Sequence, residues 1–377
     1  MIMVSEGNHH TSSVTESGSV WTWGNGCCNN GQLGHDDGSL RQPYRFVKDV
    51  FGNSPAITVS CGALHTLVLT MHGLVWSCSW RFYGQLGHGN NKSKQVLTLI
   101  EEKEFTLDPI VMVSASTYHN AALGKEGSIW TWGNGYDGGL GDIDYYDNIR
   151  DTPLKLTEHA FAADLCVFVQ TGTHHSLTVT RQGNLWVWGN GEGGCVGMGD
   201  EKSRLIPTLV QPKAFGGLPV VVAGCGPKYT LVITNDGCLW SLGENKYCNE
   251  NKLVPTRTDT QGVHYSKLVS LWVGEWHSAA VTENGIFDTW DNGSRANALN
   301  TTTCTGTTYI PWPLNADTLN NARVGASVHL DLNINIFVRG SSSIRFHVDQ
   351  KRRFSCCRPF SELFDCIQQN ICILCSY

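Results

Sequence analysis

Adjacent histidines are the first residues to test for chemistry. His9-His10 and His174-His175 are such pairs, and imidazole is both a common metal ligand and the side chain that titrates near neutrality. Cys372-x-x-Cys375 has the spacing of half a zinc site. A whole site needs a second such pair or nearby histidines; the chain has no second Cys-x-x-Cys, and His347 is distant in sequence. Gly189-Asn-Gly-Glu-Gly-Gly194 has the glycine content of a phosphate-cradling loop, yet it follows an aromatic strand pattern and precedes no helical one. Glu101-Glu102 and Asp36-Asp37 pair carboxylates in loop-like, solvated segments. No Walker A, Gly-x-Ser-x-Gly or His-Glu-x-x-His motif occurs. The sequence therefore predicts no catalytic residue, no metal, no cofactor and no small-molecule substrate.

The histidines belong to a larger pattern. Gly-x-(Val/Leu/Ile)-Trp occurs at Gly18–Trp21, Gly73–Trp76, Gly127–Trp130, Gly183–Trp186 and Gly237–Trp240, with Trp spacings of 55, 54, 56 and 54. Weaker copies read Gly285-Ile-Phe-Asp-Thr-Trp290 and Ile336-Phe-Val-Arg-Gly340. Upstream and in phase lies Gly-x-x-His, at Gly7–His10, Gly62–His65, Gly172–His175 and Gly274–His277; Ser116 stands for the Gly before His119, and Tyr229 replaces the His after Gly226. Downstream lie Trp-Gly-Asn-Gly, at Trp23, Trp132 and Trp188, and Gly-Gln-Leu-Gly, at Gly31 and Gly84, with variants at Gly138 and Gly194. Pro43, Pro153, Pro207 and Pro255 read as openings of the next strand. Histidines that share one repeat position lie on different units, so they are expected to bond backbone in the strand-turn region rather than to converge on a metal.

Each motif has a mechanical reason. Runs such as Leu67–Thr70 are apolar, as a buried strand is. Glu16-Ser-Gly18 and Asn235-Asp-Gly237 are hairpin turns, where glycine supplies a positive φ. Trp21 and Trp23 lie two apart and share one face of a strand, where wide rings fill the space between sheets. A unit of about 54 residues thus holds four short strands. One such sheet cannot bury both faces, whereas packing sheet on sheet around a ring does. The sequence predicts an all-β, seven-bladed β-propeller over residues 1–350, with a Cys-rich, poorly ordered tail at 351–377. The 41 Gly, 13 Trp and 16% charged residues suit short strands and tight turns.

The order Gly-x-x-His, Trp-x-Trp-Gly-x-Gly, Gly-Gln-Leu-Gly resembles the repeats of the regulator of chromosome condensation family, strongly over residues 7–300. The resemblance implies the seven-bladed propeller. It also implies a ring closed by C-terminal residues that complete the first blade, because the repeat starts near Gly7; Ser342–Val348 is the expected closing strand. In function it implies a non-enzymatic scaffold that presents blade loops to a protein partner. The alternatives are a guanine-nucleotide exchange factor for a Ran-like small GTPase and a substrate-binding component of a ubiquitin-ligase system. No basic N-terminal extension precedes the repeats, and too few residues follow 350 for a ligase domain. Light-sensing members frame clustered Trp with Gly-Trp-Arg-His-Thr; Gly274-Glu-Trp-His-Ser278 lacks the Arg and shifts the Trp.

The partner-binding expectation falls on one loop. Asp142, Asp144, Tyr145, Tyr146 and Asp147 form an acidic, aromatic insert where other repeats have a short link, a composition that favours a protein partner bearing basic groups. Cys27-Cys28 and Trp80-Arg-Phe-Tyr83 are lesser candidates. A net charge of −6 without a long basic run argues against nucleic acid. No secretory leader or membrane-length apolar run occurs, so a cytoplasmic or nuclear location with 15 reduced cysteines is expected.

Overall fold

A computed structural model describes residues 3–24, 31–35, 44–46, 48–52, 54–79, 82–90, 92–101, 105, 107–142, 149–244, 251–258, 267–274, 277–284 and 287–291. They form successive antiparallel sheets that pack like propeller blades. Sheet 1 runs Met3–Glu6, His10–Val14, Val20–Gly24, Tyr44–Phe46; sheet 2, Ala56–Cys61, His65–Thr70, Val75–Ser79, Lys94–Leu99; sheet 3, Ile110–Ala115, His119–Gly124, Ile129–Asn134, Ile149–Lys155. Sheet 4 runs Cys166–Thr171, His175–Thr180, Leu185–Gly189, Arg204–Leu209; sheet 5, Val220–Cys225, Tyr229–Thr234, Leu239–Gly243, Lys252–Arg257; sheet 6, Leu268–Val273, His277–Thr282, Phe287–Asp291. Spatial order equals chain order in every sheet. The only helices among the described residues are single 3-10 turns, and none is long and apolar enough to cross a membrane.

Sheet 1 has its own first strand: Met3–Glu6 pairs with His10–Val14, Met3 opposite Val14 and Glu6 opposite Thr11. This corrects the expectation that the repeat begins at Gly7 and borrows its early strands. The short Met-Val-Ser-Glu run gives little alternation by which to recognise a strand. The proposed closing segment Ser342–Val348 and the weak copy at Ile336 lie outside the described residues, as does the tail.

The turns are those the glycines announce. Gly18, Gly73, Gly127, Gly183 and Gly237 all have φ between 74° and 84°, the left-handed region that a Cβ disfavours. Pro153, Pro207 and Pro255 sit inside the fourth strands rather than opening them. The fourth strand is a sheet edge, where a residue without an N–H costs no ladder bond. Apolar cores lie between sheets. Leu67, Leu69 and Val75 of sheet 2 pack with Ile110, Val113, Trp130 and Trp132 of sheet 3, and the other junctions repeat the arrangement.

Candidate partner-binding rim

The repeated histidines stitch the sheets together. Thr66 donates its hydroxyl proton to the Gln32 carbonyl at 2.7 Å, so it accepts from His10 Nε2–H at 2.8 Å. Asn120 Oδ1 can only accept, which fixes His65 as the Nε2–H tautomer at 2.6 Å, and Asn120 Nδ2 donates to the Gln85 carbonyl. His119 meets Ser176, which donates to Gly139 O; His175 meets Thr230, which donates to Cys195 O. Each of these four histidines thus reaches the residue that follows the next repeat's His or Tyr. That residue in turn holds a carbonyl of the Gly-Gln-Leu-Gly loop on the histidine's own sheet. The expected bond to strand-turn backbone is therefore replaced by a bond to a side chain of the neighbouring sheet. Where Tyr229 replaces histidine, its hydroxyl donates to Gly274 O at 2.8 Å and lies 3.0 Å from Ser278 Oγ.

Burial holds these rings neutral. Desolvation lowers His10 and His119 from 6.5 to about 3, and His65 and His175 to about 4; neighbouring histidines lower three of them further, all but His65. Among the described residues no three metal-ligating side chains lie together. The described free cysteines, Cys61, Cys78, Cys166, Cys195, Cys225 and Cys238, are thiols, and burial pushes Cys61 up to about 11. Cys372 and Cys375 lie outside the described residues.

Tryptophans close the same junctions. Trp132 and Trp188 are fully buried, and their Nε1–H groups donate to Gln85 O at 3.0 Å and Gly139 O at 2.9 Å on the preceding sheet. The last glycine of the loop on the preceding sheet lies against each of these two rings: a Cβ on Gly87 would sit 3.1 Å from Trp132 Nε1, and one on Gly141 3.0 Å from Trp188 Nε1. The Trp of the Gly-x-(Val/Leu/Ile)-Trp motif meets a phenylalanine edge-on in four sheets: Phe51–Trp76, Phe105–Trp130, Phe161–Trp186 and Phe215–Trp240, with centroids 5.1–5.9 Å apart. The sequence reading missed these phenylalanines, although their spacings of 54, 56 and 54 match the repeat.

Beyond the junctions, a cluster of aromatic and polar side chains lies at one end of sheets 2 to 4. There Tyr83, Tyr118, Asn134, Tyr136, Thr173 and His174 surround a pocket of about 190 Å³ floored by His119. Tyr83 follows the third strand of sheet 2, Tyr118 and His174 lie in first-to-second-strand turns, and Tyr136 follows the third strand of sheet 3. Tyr83 and Tyr118 meet edge-on at 5.1 Å, and Tyr118 lies 5.7 Å from His174. Phe82, Tyr83 and Tyr136 are 59%, 36% and 66% exposed. Of the predicted insert, Asp142 is described: its carboxylate pairs with Arg150. Asp144, Tyr145, Tyr146 and Asp147 lie outside the described residues, as do Cys27 and Cys28. The strand that follows the insert returns at the pocket, with Ile149 paired opposite Asn134.

Comparison with known proteins agrees with this architecture. The chain is 30% identical to the ultraviolet-B receptor UVR8 of Arabidopsis thaliana over 77% of its own length and 64% of that protein's. It is 26% identical to the human E3 ubiquitin-protein ligase HERC2 over 74% of its length but 6% of that protein's. The chain therefore spans less than two thirds of these relatives. Among solved structures, human WBSCR16 aligns with a TM-score of 0.65 at 22% identity, covering 74% of this chain and 71% of that one. Prp20p of Saccharomyces cerevisiae, described with its binding to Gsp1p and histones, aligns at 0.63 and 20%, covering 76% and 71%. The RCC1-like structures are seven-bladed propellers. The RCC1-like domain profile matches residues 1–329, so the chain belongs to the RCC1-like domain family.

Proposed function

We propose that this chain is a non-enzymatic interaction module whose rim at sheets 2 to 4 docks a protein partner in the cytoplasm or nucleus. The observation that carries the reading is the aromatic row Phe82, Tyr83, Tyr118 and Tyr136, exposed at Phe82, Tyr83 and Tyr136 and half-buried at Tyr118, at positions the blade packing does not require. Tyrosine is enriched in the anchoring positions of protein interfaces. The insert Asp142–Asp147 is acidic and aromatic in composition, which suits a basic partner. The residues before the described histidines, such as Ala63-Leu64 and Thr117-Tyr118, carry no Trp-Arg pair of the light-sensing kind.

Cross-linking from a photoreactive group placed beside Tyr136, with the partner identified by mass spectrometry and then purified, tests the reading. Binding of that partner is expected to fall when Tyr83 and Tyr136 are both replaced by alanine. A partner whose cross-links and binding ignore this rim would overturn it.

A further inference from the structure

The rim pocket is small, polar-edged and lined by no Asp, Glu, Lys or Arg, and these properties narrow its occupant. A volume of about 190 Å³ is room for roughly six waters. It lies below the roughly 300 Å³ at which pockets for drug-sized ligands begin. One side chain fits; a nucleotide does not. Three tyrosines and His174 supply aromatic rings, which attract a cation over their faces and disfavour an anion. His119, at the floor, stays neutral because burial lowers it to about 3 and its Nε2–H is committed to Ser176.

Two basic side chains among the described residues at this end are already committed. Arg150 is paired with Asp142, and Lys228 with Glu192. Tyr83, Tyr118 and Tyr136 make no hydroxyl hydrogen bond among the described residues, while Asn134 Oδ1 accepts from Tyr136 N–H at 2.8 Å. An aliphatic occupant would strip water from these hydroxyls and from Thr173 without replacing its bonds, a cost of about 1–3 kcal/mol per group. A guanidinium carries charge, a flat face for stacking and five donors for such oxygens. The net charge of −6 favours approach of a basic partner.

From these features we infer that the pocket formed by Tyr83, Tyr118, Tyr136 and His174 receives an arginine side chain of the docked protein. The inference rests on the docking reading above and specifies the chemistry of its anchor.

The test uses the full chain with tyrosine rings labelled for NMR and the tripeptide Ac-Gly-Arg-Gly-NH2 as probe. Saturable shifts are expected at the rings of Tyr83, Tyr118 and Tyr136, with a Kd on the order of 1–10 mM for so small a ligand. The citrulline tripeptide, equal in shape but uncharged, and the Tyr136→Ser variant should each bind at least about fivefold more weakly. Tyr136 is two-thirds exposed, so the variant should melt like the wild type. Equal binding of citrulline, tighter binding of a lysine or trimethyl-lysine tripeptide, binding that survives Tyr136→Ser, or no saturable shift up to about 50 mM would overturn the assignment. Loss of the purified partner in the Tyr83, Tyr136 double variant, together with a silent arginine probe, would sink the arginine anchor while leaving the docking reading standing.

Discussion

The junctions between sheets and the pocket at their rim are built by opposite rules. At the four junctions from sheet 1 to sheet 5 the same residue types recur at the same phase: a histidine, a small polar residue after the next sheet's His or Tyr, a loop carbonyl, a tryptophan and a phenylalanine. Many of their polar atoms bond one another, as in the chain from His65 to Asn120 to Gln85 O. At the rim, Tyr83, Tyr118, Tyr136 and His174 come from three repeats and from positions the repeat leaves open. Damage to a junction should therefore cost stability, and damage to the rim should cost binding. A residue that did both would break the division.

The largest effect is expected from Trp132→Ala. The ring is fully buried and its Nε1–H donates to Gln85 O, so truncation removes apolar burial, leaves a cavity over Gly87 and orphans a bond. A loss of about 3–5 kcal/mol is expected by urea titration. A loss below about 1 kcal/mol would mean that the ring does not hold the sheets together.

The histidines come next. His65→Ala leaves the Asn120 carbonyl oxygen buried without its donor, which should cost about 1–3 kcal/mol. The four rings also predict a pH dependence with a definite sign. Their folded values, about 3 to 4, lie below the ordinary 6.5. The unfolded chain therefore binds protons that the folded one refuses. Stability is whole above pH 6.5 and falls as the pH drops toward 4, by up to about 1.4 kcal/mol per pH unit for each histidine. Denaturant midpoints measured between neutrality and mild acid should show this fall, and His65→Gln should flatten it; a midpoint insensitive to pH over that window would show that these rings titrate freely.

Much of the junction was legible in the sequence, and little of the rim was. Trp21 to Trp240 and the glycines before them recur because every junction solves one packing problem, so period alone reveals them. The phenylalanines at 51, 105, 161 and 215 carry the same period and were readable. They passed unnoticed because they sit in 3-10 turns between strand patterns. The direction of each histidine was not readable: whether His65 turns to its own turn or to Asn120 depends on how the next sheet is placed. The first strand, Met3–Glu6, was hidden by its brevity. Tyr83 could be noticed as an unusual loop residue, but its meeting with Tyr118 and His174 has no period to betray it. The Asp142–Asp147 insert stood out by composition, and the described part of it, Asp142, is held by Arg150.

A smaller effect on stability is expected at the rim. Tyr83→Ala with Tyr136→Ala should change stability by no more than about 0.5 kcal/mol, as exposed substitutions do, while weakening the purified partner by about 2 kcal/mol or more if these rings anchor it. Thermal melting and a binding titration on the same samples decide between the two. A large drop in melting temperature would show that the rim also supports the blades, and the division between junction and rim would fail.

The smallest effect is expected in nucleotide exchange. To speed release, a propeller must bind the nucleotide-free GTPase more tightly than the loaded one, which calls for a segment that enters the GTPase and competes with nucleotide contacts. The described rim offers single exposed rings and a pocket with room for one side chain. Such a surface can hold a loaded and an empty GTPase equally well, and equal binding shifts nothing. The likeness to Prp20p stands at 20% identity, enough for the fold and silent on the activity. A fluorescent-nucleotide release assay with a Ran-like GTPase should therefore show less than about tenfold acceleration, equivalent to about 1.4 kcal/mol of barrier. Greater acceleration that vanished with Tyr83→Ala and Tyr136→Ala would turn the same rim from a docking surface into the working face of an exchange factor. If it survived that double change, the exchange surface would lie elsewhere on the propeller, and the aromatic row would need another purpose.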